Sequence, residues 1–130
     1  MLVGPTMSEF TSLDGCAAYV AARDVLDALQ TAATTWPEPL AERARQAAVD
    51  TLMITAEGIH FQQGSAGRRR CLRDAIASAI SMAASLDVAR TLGFADDSLE
   101  QTQRLAGRAI ALLGMFFHAN ATVVPELAVG

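Results

Sequence analysis

Four times along this chain, apolar residues recur at intervals of three and four, and no window shows the strict alternation and β-branched enrichment of a strand. That periodicity restricts the chain to an all-α architecture. Its 130 residues suffice for one domain with a core of its own. Hydrophobic residues make up 52% of the chain and charged residues 18%, which excludes a disordered tail, a collagenous repeat and a basic nucleic-acid arm. Every basic residue is arginine, and alanine recurs throughout the middle of the chain, where small apolar side chains suit close helix packing.

The first helix is predicted over residues 13–34, with Ala22, Val25, Leu26, Leu29, Ala32, Ala33 and Trp36 on one face. Trp36-Pro37 ends it, because a residue before proline is pushed out of the α region. A second helix opens at Glu38-Pro39, with proline tolerated in the first turn, and turns Leu40, Ala44, Ala47, Ala48, Thr51, Leu52, Thr55 and Ile59 to one side. Residues 62–67, Gln-Gln-Gly-Ser-Ala-Gly, form the internal breaker and the expected loop. A third helix over 68–92 stops at Gly93, a natural left-handed cap, with Phe94 placed to fold back on the last turn. Asp97-Ser98-Leu99-Glu100 reads as a capping-box start for a fourth helix reaching residue 118. Short connections make neighbours antiparallel, so the expected fold is an up-down four-helix bundle over 13–119, flanked by a flexible segment over 1–12 and a tail over 120–130.

Two helices carry more apolar surface than one face can bury. Ile80, Met82, Ala84 and Val88 lie off the third helix's main stripe, and residues 109–117 are apolar all round. Together with a mean hydropathy of +0.27, high for so small a chain, this points to burial against further copies of the same chain. Gly107 and Gly114, one heptad apart, would permit close backbone approach.

The net charge of −4 argues against a large phosphate-binding surface. No positively charged, apolar leader opens the sequence, and no apolar stretch is long enough to span a bilayer, so the expected location is the cytoplasm, without membrane association. Cys16 and Cys71 match no metal or redox spacing and read as free, partly buried thiols.

Three stretches taken together resemble the four-helix-bundle family known as 23S ribosomal RNA intervening-sequence proteins, to which accessory proteins of diversity-generating retroelements are related. They are Trp36-Pro37, then Arg45 with Ala47-Ala48-Val49 and Ala56-Glu57-Gly58, then Ala89-Arg90 with Leu92-Gly93-Phe94. Ile54 stands where the family usually has asparagine, and Ser81 where it usually has glutamate. Glu57 and Gly58 are the signature residues that carry over, in a structural role. The resemblance implies a four-helix bundle assembled as a homopentamer, with no catalytic activity. Retroelement members bind nucleic acid through a strongly basic surface, which this acidic chain lacks.

Two clusters could carry chemistry. Glu57 and His60 have the Glu-x-x-His spacing that puts two ligands on one helical face, but a di-metal bundle needs a second such pair, and His118 has no upstream carboxylate to supply it. Glu57 is therefore expected as a buried or interface carboxylate, with no metal and no cofactor. Arg68, Arg69, Arg70 and Arg73 form the basic run, at a helix start where the dipole disfavours cations. Ion pairing with Asp74, Asp87, Glu42 or Asp50, within or between subunits, is favoured over an anion or nucleic-acid contact, since no aromatic residues interleave to stack bases. Neither a nucleophile elbow nor a nucleotide-binding glycine motif occurs. Phe116-Phe117 reads as core or interface. The sequence thus points to a non-enzymatic, self-assembling scaffold or binding module, whose partners are its own copies and an unidentified protein. The alternative is a nucleic-acid-binding accessory protein using the four arginines.

Overall fold

The computed structural model describes residues 13–129, with side chains through Asn120, and is all-helical over that span. Helix α1 spans Ala17–Ala32 and tightens into a 3-10 turn over Ala33–Thr35; α2 spans Glu38–His60, α3 Ala66–Thr91 and α4 Asp97–Val129. The expected segment over 1–12 lies outside the described residues. Each helix packs on its neighbours in sequence, and α4 closes the ring on α1, while diagonal helices hardly touch. With connections this short the four run alternately up and down. Among the described residues no helix is long and apolar enough to cross a membrane.

Local chemistry sets most of the boundaries. Leu13 and Asp14 are helical, but Gly15 is a turn that interrupts the helix, so the continuous α1 starts at Ala17 rather than near Leu13. Trp36 takes the extended conformation (φ −78°, ψ 158°) that Pro37 imposes. At the end of α3, Gly93 adopts φ +99°, its N–H donates to the Arg90 carbonyl and the Phe94 N–H donates to the Ala89 carbonyl. This is a complete Schellman motif, and Phe94 packs against the core as expected. The start of α4 differs from expectation by one residue. Asp96 is the cap, its Oδ1 accepting from the Leu99 N–H at 2.8 Å, because its carboxylate is the one that reaches a free first-turn amide. The far end of α4 extends to Val129, past the expected stop at residue 118.

The core is built mostly from alanine, around a few large side chains. Toward the Trp36 end, Val25, Leu29, Met82, Leu86 and Leu99 pack among Ala21, Ala44, Ala48, Ala89 and Ala106; toward the other end, Leu72 and Leu113 pack among Ala18, Ala75 and Ala79. Four buried hydroxyls are satisfied within their own helices: Thr51, Thr55, Ser85 and Thr102 each donate to the carbonyl four residues earlier. Bonding back one turn lets small polar residues enter a core without a partner helix supplying an acceptor.

What this core does not absorb lies outside. Ile80, Val88 and Leu92 on α3 are 54%, 46% and 58% exposed, and Met115 on α4 is 66% exposed. Gly107 and Gly114 make no close approach among the described residues, since a Cβ at either would meet nothing within 4 Å.

Candidate anion site at the loop end of the bundle

The connection between α2 and α3 is shaped residue by residue. Phe61 leaves α2 in an extended conformation (ψ 153°), and Gly64 follows at φ +84°, which glycine adopts without strain. Asn120 of α4 fixes this loop from across the bundle, its Oδ1 accepting the buried Gly64 N–H at 2.7 Å. Ser65 then caps α3 by accepting from the Arg68 N–H at 3.1 Å. The expected loop over 62–67 therefore ends two residues early, and Gly67 belongs to the helix. It lies beneath the Phe61 ring, whose carbons would be 2.6 Å from a Cβ at that position.

Replacing Asn120 with leucine leaves the Gly64 N–H buried without an acceptor, at an expected cost of about 1–3 kcal/mol. Faster hydrogen exchange at the Gly64 amide, with helix-interior amides unchanged, is the outcome that checks this. Unchanged exchange at Gly64 contradicts it.

The four arginines do not act as one cluster. Arg68 turns inward: its guanidinium carbon lies 4.8 Å from the Phe116 ring centroid, its Nη1 donates to the Phe61 carbonyl at 3.4 Å, and its Nε is buried with no partner. The reason is register, since Arg68 lies one turn before Leu72 on the stripe that continues through Ala75 and Ala79. Arg69 donates to the Gly64 carbonyl at 3.2 Å. Arg70 and Arg73 are exposed.

The ion pairs expected for this run are not found among the described residues. Among the described residues the salt bridges are Arg23 with Asp14 and Arg45 with Glu38 and Glu42, while Asp50 accepts from Gln46. Glu42 and Asp50 lie on α2 at a distance along the bundle from the start of α3, and Glu42 already has a nearer arginine.

Arg68 forms one wall of a cleft of about 460 Å³. The rest is Gly15, Cys16, Ala17 and Ala18 from the start of α1, Ile59 from α2, and Leu112 and Phe116 from α4. Apart from the guanidinium its side chains are apolar, and no carboxylate is among the described residues lining it. The sequence reading did not assign Cys16, Ile59, Leu112 or Phe116 to a site, and only the register of Arg68 with Leu72 hinted at one.

The other candidates separate. Gly58 is buried where α2 and α3 cross, a Cβ there lying 3.0 Å from the Cys71 Cβ. Glu57 is exposed rather than buried, because it faces away from that crossing. It borders a shallow groove with Met53, Ala56 and His60, and the His60 Nδ1 donates to the Ala56 carbonyl at 2.9 Å. Among the described residues no three of His, Cys, Asp and Glu converge as a metal site. Cys16 and Cys71 are free, half-buried thiols, as expected. Burial pushes the Cys71 thiol above its ordinary range, and the nearby Glu57 charge adds to this, so at neutral pH it is a weak nucleophile.

No family model matches the chain, and no curated protein matches it.

Proposed function

We propose that this protein is a non-enzymatic four-helix bundle that self-assembles in the cytoplasm and serves as a scaffold or binding module. The homopentamer of the family it resembles is the expected stoichiometry. One observation carries the reading: the outer face of α3 and its cap holds Ala77, Ile80, Ala84, Val88 and Leu92 at helical spacing, all exposed, with nothing among the described residues covering them. The outer face of α4 adds Met115, and the open space over Gly107 and Gly114 leaves its backbone approachable by another helix.

The expected result for untagged protein is a native mass near five times the 13.7 kDa of the chain. Ile80→Glu with Val88→Glu is expected to reduce it to the mass of one chain with the helical circular dichroism intact, since a charge at each site opposes desolvation of the face. A wild-type monomer at micromolar concentration refutes the reading.

A second reading, a nucleic-acid-binding accessory protein, has its own support in Arg70 and Arg73, two exposed cations with no ion pair among the described residues. It predicts single-stranded RNA binding at low salt that weakens as salt rises, by about 0.7 log units per tenfold salt for each phosphate contacted. Arg70→Glu with Arg73→Glu then abolishes the binding. Wild-type protein that leaves RNA unshifted at low salt excludes this reading.

A further inference from the structure

We infer that the cleft at the loop end of the bundle is a binding site for a small carboxylate with an aliphatic body, of the chemistry of a medium-chain fatty acid. The inference is independent of self-assembly. Its first support is shape: the cleft's roughly 460 Å³ lies in the range of small-molecule pockets, about 300–1,000 Å³.

Its second support is the distribution of polarity. The side chains of Ala17, Ala18, Ile59, Leu112 and Phe116 offer only carbon to an occupant, which selects an apolar body. Among the described residues Arg68 is the one charged group in the lining, and no carboxylate there neutralises it. Its Nη1 is held by the Phe61 carbonyl and its guanidinium lies over the Phe116 ring, so the head is kept at the cleft rather than released to water. The Nε has no partner. A guanidinium bonded through Nη1 and buried at Nε retains Nη2, for which no hydrogen bond is found among the described residues and whose N–H groups can donate to a carboxylate oxygen.

The charge count decides for a monoanion over a phosphate. Arg69 is committed to the Gly64 carbonyl, and Arg70 and Arg73 lie outside the lining, so one cation serves the site. A carboxylate balances one guanidinium, whereas a phosphate would carry excess charge into an apolar cleft. Cys16, a free thiol in the same lining, serves as a reporter of occupancy.

The test titrates full-length protein with decanoate, held below its micelle concentration, by calorimetry, with 1-decanol and decyltrimethylammonium as uncharged and cationic probes of the same chain length. The expected result is saturable decanoate binding, at least about tenfold weaker for decanol and absent for the cation, as a charge-assisted hydrogen bond requires. Arg68→Gln is expected to weaken decanoate by about tenfold or more while leaving decanol unchanged. Ala17→Phe, at an exposed position outside the core, is expected to fill the cleft and block both. Decanoate is expected to slow iodoacetamide labelling of Cys16, read by peptide mass, without slowing that of Cys71. Equal affinity for decanoate and decanol, decanoate binding that survives Arg68→Gln, or no saturation at millimolar decanoate overturns the assignment. Retained helical circular dichroism in both variants separates loss of the site from loss of the fold.

Discussion

Truncating Leu86 to alanine is expected to destabilise the bundle by about 2–5 kcal/mol, in the upper part of that range. Leu86 is 1% exposed and lies in a cluster whose other members are largely alanine. In a core of long side chains a cavity is partly refilled by neighbours changing rotamer. An alanine has no rotamer to change, so the void persists unless whole helices move, and the lost contacts are not replaced. Against a total stability of about 5–15 kcal/mol, this removes a large fraction. Urea unfolding at fixed protein concentration measures it, because assembly would make the midpoint depend on concentration. Gln30→Ala, an exposed position on α1 outside the proposed assembly face, is the control, expected within about 0.5 kcal/mol. A Leu86→Ala cost under 1 kcal/mol would mean that this core can collapse.

Replacing Gly58 with leucine is expected to cost about 1–3 kcal/mol or more, because α2 and α3 cross there with no space for a side chain. A Cβ would meet the Cys71 Cβ at 3.0 Å and Leu72 carbons at 3.7 and 3.9 Å. Both Cβ atoms are fixed to their backbones, so relief comes from separating the helices and weakening the packing of Leu72 behind them. Gly58→Ala is a finer balance, since alanine gains up to about 1 kcal/mol of helix propensity against one tight contact. Gly67→Ala looks worse by distance, at 2.6 Å, but the atoms it meets belong to the Phe61 ring, which is 45% exposed and free to swing outward. The ranking Gly58→Leu far below Gly58→Ala and Gly67→Ala in thermal stability is the expected result. Cys71→Gly in the Gly58→Leu background should restore part of the loss, and no restoration would place the strain elsewhere.

The contrast between these two glycines shows what was readable in advance. Both lie near a helix end, and the sequence placed Gly67 in a loop and Gly58 in a signature; neither neighbour that decides their tolerance is local to the motif. The arginine run behaves the same way. Four cations within six residues look equivalent as a string, yet the 100° step between helical residues sends Arg68 onto the Leu72 stripe and leaves Arg70 and Arg73 outside. The stripe was visible, but that it continued past its last apolar member into an arginine was not, because burial of a guanidinium depends on Phe116 and the Phe61 carbonyl arriving from elsewhere. Asn120 gave no signal at all, since its partner Gly64 is 56 positions away.

Along the chain, sequence alone determined the helical class, the Trp36-Pro37 corner, the breaker before α3 and the Gly93 cap. Each rests on backbone geometry or hydrogen bonding within a few residues, where side-chain chemistry acts directly on φ and ψ. Degenerate local signals were settled by geometry: of the polar residues at 96–98, Asp96 is the one whose carboxylate meets the Leu99 amide. Tertiary structure alone decided which arginine faces the cleft, which glycine two helices share, and that Met82, off the main stripe with Ile80 and Val88, is buried while they stay uncovered. Those outcomes depend on how four helices are rotated against one another, and rotation is set by the summed packing of the whole core, which no single segment encodes.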